Sequence, residues 1–142
     1  MAGGAQSEQI FEADAAAKKD DSLRGTRKRV PPTELYRATP IQRFMKRCTT
    51  AGVEWAIFSD KYAFVFPNDR IAWYEKHPNT LTQAEKKERF NQAFEVLRNY
   101  NLAYFYYNPG RLHPFYRELV GEMRKRGRDV REITHLSDIH SR

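Results

Sequence analysis

With 142 residues, 40% of them hydrophobic and 13% aromatic, the chain has the length of one ordinary domain and enough apolar material for a real core. Thirty per cent of the residues are charged, the formal charge is +7, the isoelectric point is near 9.6 and the mean hydropathy is −0.82, a balance that favours acidic partners. A single cysteine, Cys48, excludes an intramolecular disulfide and a cysteine-built metal site; no apolar run reaches membrane-spanning length, and Met1 to Glu8 lack the basic start and apolar core of a secretory signal, so the expected setting is cytoplasmic, away from membranes.

Residues 1–30 read as a flexible, basic N-terminal tail: alanine- and glycine-rich, then Lys18-Lys19-Asp20-Asp21, with only Gln9-Ile10-Phe11-Glu12 resembling a strand or a docking segment. A single α/β domain is expected over 31–142. Pro31-Pro32-Thr33-Glu34 opens it, with Thr33 placed to cap a helical turn that turns Leu35 and Tyr36 inward. Thr39-Pro40 starts a helix whose apolar face is Ile41, Phe44, Met45 and Cys48, and Gly52 ends it. Cys48 on that face reads as core packing rather than as a nucleophile.

Val53 to Phe58 is short, aromatic and β-branched, and predicts a strand. It breaks into Ser59-Asp60-Lys61-Tyr62 before Ala63 to Phe66 resume the apolar pattern. Two readings stay open: a buried strand ending in polar groups at a sheet rim, or a β-hairpin turning at Ser59-Asp60-Lys61, with Asp60 and Lys61 solvated or paired with one another. After a loop over 68–81, Thr82 and Glu85 form a capping box for a helix carrying Phe90, Ala93, Phe94 and Leu97 through to about Tyr100. Leu102 to Tyr107 predict a second apolar strand, closed by the turn Asn108-Pro109-Gly110. A helix from Pro114 carries Phe115, Leu119, Val120 and Met123 and stops at Gly127, and a last strand follows from Val130 to about His135. This alternation predicts a small three-layer α/β domain with a short, mostly parallel sheet covered by helices.

In such a sheet the carboxyl ends of the strands share one crevice, so Ser59, Lys61 and Tyr62 are expected to meet Asn108, Gly110 and Arg111 in an anion-binding, ligand-binding site. Lys61 and Arg111 supply charge, Ser59 and Tyr62 hydrogen bonds, and the start of the Pro114 helix free N–H groups. His113 reads as a surface residue beside that helix start. His77, His135 and His140 show no metal spacing, so no metal site is expected, and nothing points to a cofactor. Two basic clusters stand out. Arg124 to Arg128 fit the cationic end of a helix, whereas Arg24, Arg27, Lys28 and Arg29 offer contacts to nucleic-acid phosphates.

Thr33-Glu34-Leu35-Tyr36, then Trp55-Ala56-Ile57-Phe58-Ser59-Asp60-Lys61-Tyr62, then Pro67, Ile71 and Tyr74 resemble an uncharacterised microbial α/β family with an L-Y … W-x-I-L-S-A-K-Y-G pattern. That family is similar to the YaaA-like proteins and, more remotely, to the core domain of archaeosine synthase, a tRNA-base-modifying enzyme. The resemblance spans roughly residues 31 to 125. Its members open on a hydrophobic strand leading into a lysine-rich loop that contains Cys or Ser, whereas the corresponding stretch here reads as polar tail, so that strand is expected to be lost or degenerate. Ala63 stands where the family has glycine, and a backbone needing positive φ there would be strained.

The resemblance implies a ligand-binding domain for a nucleobase, nucleotide or phosphate, related to base-modification enzymes and catalytically degenerate. The alternative is a non-catalytic nucleic-acid or protein adaptor using the clusters at 24–29 and 124–128. A protein partner or second copy completing the sheet follows from the expected loss of a strand. No reaction class is legible in the sequence.

Overall fold

A computed structural model describes residues 7–140. Eleven regular elements follow in chain order: β1 (Glu8–Ala13), β2 (Arg29–Val30), α1 (Pro32–Leu35), α2 (Thr39–Ala51), β3 (Trp55–Ser59), β4 (Ala63–Val65), β5 (Ile71–Ala72), α3 (Gln83–Leu97), β6 (Leu102–Tyr106), α4 (Pro114–Lys125) and β7 (Val130–Ile133). The main sheet has the order β4-β3-β1-β6-β7. β1 runs parallel to β3 and to β6, β6 runs parallel to β7, and only β4 is antiparallel, to β3. The small three-layer α/β domain expected from the alternation is therefore what the chain forms.

The main correction concerns the N-terminus. The segment read as tail supplies the central strand: Ile10 lies beside Trp55 on one side and Tyr104 on the other, and Phe11 beside Ala56 and Phe105. Phe11 is buried, stacked on Phe105 with centroids 5.0 Å apart and meeting the edge of Phe64 at 5.1 Å. Beyond β1 the chain remains part of the fold. Leu23 and Val30 are buried, β2 pairs antiparallel with β5, and Lys19 bridges to Tyr36. Residues 1–6 of the expected tail lie outside the described residues. The opening strand is thus present, which removes the ground for expecting a partner or second copy to complete the sheet.

Two apolar layers sandwich the sheet. On one face Ile10, Trp55 and Ile57 pack against Leu35 of α1, Tyr36 just after it, and Ile41, Phe44, Met45 and Cys48 of α2. On the other, Phe11, Phe58 and Phe105 pack against Ala93 and Leu97 of α3 and Phe115, Leu119 and Met123 of α4. Cys48 is buried, and burial pushes its thiol up to about 12, as a packing residue requires.

Local signals explain the helix ends. Gly52 takes φ +71° after α2 and Gly127 takes φ +90° after α4, while Thr82 and Glu85 form the reciprocal capping box of α3. Thr33 does not cap α1; Pro31 holds the cap position without a side-chain bond. The loop over 68–81 contains β5 and a 3-10 turn, Pro78–Thr80. Among the described residues no helix is long and apolar enough to cross a membrane.

Candidate functional site

Among the four parallel strands β1, β3, β6 and β7, the spatial order reverses direction at β1: β3 follows on one side of it and β6 on the other. In doubly wound sheets a crevice opens at this switch point, beyond the carboxyl ends of the two strands. A cavity of about 360 Å³ lies there. Its walls include Glu12 and Asp14 from the end of β1, Tyr106 and Asn108 from the end of β6, and Lys18 and Arg111 from the following loops, with the start of α2 at Pro40 and Ile41 opposite. Tyr106 is held by stacking on Phe44, at 5.6 Å and 13°.

The turn that leaves β1 is tight. The Asp14 N–H still donates to Phe58 O at 2.9 Å, and the Ala17 N–H donates to Asp14 O at 2.7 Å. Between them Ala15 and Ala16 both sit at positive φ, +49° and +58°, a region that disfavours any residue with a Cβ.

Behind the cavity lies a buried polar cluster. Asp14 and Asp60 are both completely shielded from solvent. The Tyr74 hydroxyl donates to Asp14 Oδ2, and the Tyr36 and Tyr74 hydroxyls are 2.6 Å apart, so Tyr36 donates to Tyr74 and the chain of donors ends on Asp14. The Tyr116 hydroxyl donates to both Asp60 oxygens, at 2.8 and 3.0 Å, and Arg89 Nε donates to the Asp60 carbonyl at 2.9 Å. The Lys19 ammonium lies 4.4 Å from the Tyr74 ring centroid, and burial lowers its pKa.

Burial raises the pKa of both aspartates, and at Asp60 the Asp14 carboxylate adds to the rise. Both effects favour the protonated form of the pair over two buried negative charges side by side. Asp14 Oδ1 is buried and has no hydrogen-bond partner among the described residues. Burial alone pushes Glu12 up to about 8. Burial thus favours the neutral form of Glu12, and its buried Oε1 has no hydrogen-bond partner among the described residues.

Both segments expected to form the site lie at this rim, but they are not neighbours, because β1 runs between β3 and β6. Asn108 and Arg111 line the cavity. Gly110 is exposed in the adjoining 3-10 turn, where its N–H caps onto Asn108 Oδ1 at 3.0 Å. Ser59, Lys61 and Tyr62 stand on the other side of β1, in the hairpin joining β3 to β4. The hairpin reading is therefore the correct one. Ser59 Oγ accepts the N–H groups of Lys61 and Tyr62 at 3.1 and 3.0 Å, Lys61 is exposed, and Tyr62 rests its ring edgewise against Tyr74 at 5.2 Å. Asp60 is neither solvated nor paired with Lys61. Ala63, the first residue of β4, takes φ +61°.

His113 caps α4 through Nδ1, which accepts the Phe115 N–H at 3.0 Å, and bonds Asn79 through Nε2 at 2.6 Å. Arg124 and Arg126 are occupied by Glu132 and Glu122 at the end of α4, whereas Arg27, Lys28 and Arg29 are exposed. Among the described residues no group of three or more His, Cys, Asp or Glu side chains is placed to hold a metal ion.

Sequence reasoning missed Glu12, Asp14, Lys19, Tyr36, Tyr74 and Tyr116 as members of the site. The one available signal was Glu12-Ala13-Asp14 directly after Ile10-Phe11, acids at the end of what is a strand. No protein-family model matches the chain, and no curated protein matches it.

Proposed function

We propose that the cleft between the ends of β1 and β6 binds a small ligand of the nucleobase or nucleotide class. The observation that carries this reading is the cavity itself, at the switch point of the sheet, with the Glu12 carboxyl group in its wall beside Lys18, Tyr106 and Arg111. A protonated carboxyl presents one donor beside one acceptor, the pattern that pairs with the lactam or amidine edge of a base. Tyr106 supplies an aromatic wall, and Lys18 and Arg111 put positive charge at the same cavity. The sequence resemblance of Trp55 to Tyr62 to the YaaA-like pattern is what suggests the nucleobase class of ligand. The Asp14–Asp60 pair stands at the back of this cleft as the group best placed to exchange a proton with a bound ligand.

Calorimetric titration with free bases and nucleosides tests the reading. Glu12→Ala should weaken the best ligand by about 10- to 100-fold, the range for losing a buried polar partner, while Glu12→Gln, which keeps a donor and an acceptor, should retain most of the affinity. Unchanged affinity in both Glu12→Ala and Arg111→Ala overturns it.

A second reading, a nucleic-acid adaptor, rests on the exposed Arg27, Lys28 and Arg29 beside the β2–β5 ribbon. It requires binding that falls steeply with salt and loses slope when these three charges are neutralised.

A further inference from the structure

Two histidines from separate loops come together where α3 and α4 begin. His77 precedes the 3-10 turn Pro78–Thr80, His113 precedes α4, and their rings stand 6.1 Å apart at 79° to one another. Each caps the element it precedes. His77 Nδ1 accepts the Asn79 N–H at 3.1 Å, and His113 Nδ1 accepts the Phe115 N–H at 3.0 Å. A ring nitrogen that accepts a hydrogen bond carries no proton, so both imidazoles are neutral with their hydrogen on Nε2. The other nitrogen of His113 agrees: Nε2–H donates to Asn79 Oδ1 at 2.6 Å. Asn79 is thus held twice, by its backbone N–H through His77 and by its side-chain carbonyl through His113.

Protonation cannot leave this arrangement intact. An imidazolium carries N–H on both nitrogens, so at each cap Nδ1 would face a backbone N–H donor against donor. The dipole of α4 also opposes a positive charge at its first turn. His113 faces His77 from the loop before α3, Lys86 from α3, and Tyr116 and Glu118 from its own helix. Of these only Glu118 favours the imidazolium, and it is shared with Lys86 at 3.7 Å. Beside His77, Lys76 is paired with Glu85 of α3 at 3.2 Å. Burial, with His77 and Lys86 adding to it, holds the His113 pKa below its ordinary 6.5. Its contribution is therefore full above that value and is lost as pH falls below it, where the unfolded chain takes up the proton first.

We propose that His77 and His113 form a pH-operated clasp: neutral, it ties the start of α4 to the turn ahead of α3, and charged, it lets both caps go. His113 ends the loop whose Asn108, Arg111 and Leu112 line the cavity at the switch point, so the clasp anchors one wall of that cavity. It goes beyond the base-binding reading and does not depend on it.

Ring nitrogen chemical shifts and amide hydrogen exchange of the full chain, followed by NMR from pH 8 to pH 5, test this. At pH 8 both rings should show the Nε2–H tautomer. By pH 5 the protection factors of the Asn79 and Phe115 amides should each fall by at least about tenfold, while that of Met123, buried further along α4, holds. His113→Asn supplies a cap that does not titrate, so this variant should keep α4 capped and lose most of the pH dependence at Phe115. If the variant does not fold, the wild-type titration decides by itself. The proposal is overturned by an Nδ1–H tautomer on either ring at pH 8, or by protection at Asn79 or Phe115 that is unchanged down to pH 5. A pH dependence that survives His113→Asn undiminished also overturns it, as does an equal fall at Met123, the mark of global unfolding.

Discussion

β1 and β3 run side by side and each ends at the same rim with a carboxyl group out of solvent, yet the two ends are finished differently. At the end of β3 nearly everything is satisfied. Asp60 receives the Tyr116 hydroxyl on both oxygens and Arg89 on its carbonyl, and Ser59 closes the turn on two backbone N–H groups. At the end of β1 Asp14 has the Tyr74 hydroxyl, but Glu12 lines a cavity, its buried Oε1 has no partner among the described residues, and the chain leaves through two alanines in a left-handed conformation. A polar strand end that is internally satisfied holds the fold together. One that is left open and strained is where a ligand still has hydrogen bonds to make.

The comparison breaks most decisively if β1 is not part of the core. Phe11→Ala should cost about 3–5 kcal/mol in urea unfolding, the range for removing a buried phenyl ring, and a change below about 1 kcal/mol would return residues 8–13 to the status of a tail. Next in size is the contrast between the two ends. Asp60→Ala strands the Tyr116 hydroxyl and should cost about 1–3 kcal/mol, whereas Glu12→Gln at pH 5 should leave stability within about 0.5 kcal/mol; equal losses would erase the distinction.

Titration sharpens the same point. Glu12 ordinarily ionises near 4.5 and in the fold near 8, so between these values the folded state keeps a proton that the unfolded chain has released. Its contribution is therefore fully present at low pH and fades as pH rises through that window, with a slope of up to about 1.4 kcal/mol per pH unit. Melting curves from pH 5 to 8 should show wild type losing stability relative to Glu12→Gln, and parallel curves would mean that Glu12 ionises normally. The smallest effect belongs to the β3 turn: Ala63→Gly relieves a Cβ at φ +61° but frees the unfolded chain, for a net gain of no more than about 1 kcal/mol by chemical denaturation.

Much of the scaffold was legible because its signals are local. The capping box at Thr82 and Glu85, the glycines at 52 and 127 and the apolar faces of α2 and α4 lie within a few residues of what they control. β1 was not legible, because a central parallel strand ordinarily reads as a continuous apolar run, and this one places Gln9 and Glu12 around Ile10 and Phe11. Gln9 is tolerated through its bond to Tyr100 at 3.2 Å, and Glu12 through its proton and the cavity. The tyrosines of the cluster were hidden for another reason: Tyr36, Tyr74 and Tyr116 come from segments far apart in sequence, and only the sheet brings them together. Ser59-Asp60-Lys61-Tyr62 drew attention through its polarity, and half of that polarity is spent on closing a hairpin.

The placement of β1 also orders events in time. Ile10 must find Trp55 on one side and Tyr104 on the other, so during synthesis this strand leaves the ribosome long before either partner exists. The hairpin of β3 and β4 pairs residues close in sequence, whereas β1 cannot complete its pairing until β6 has been made. Glu8, Gln9 and Glu12 suit that wait: a strand interrupted by polar side chains is less prone to stick to other nascent chains than an unbroken run of valine and isoleucine. Glu12, an acid in the cavity wall of the finished domain, is thus also one of the residues that break up the apolar run of the unfinished one.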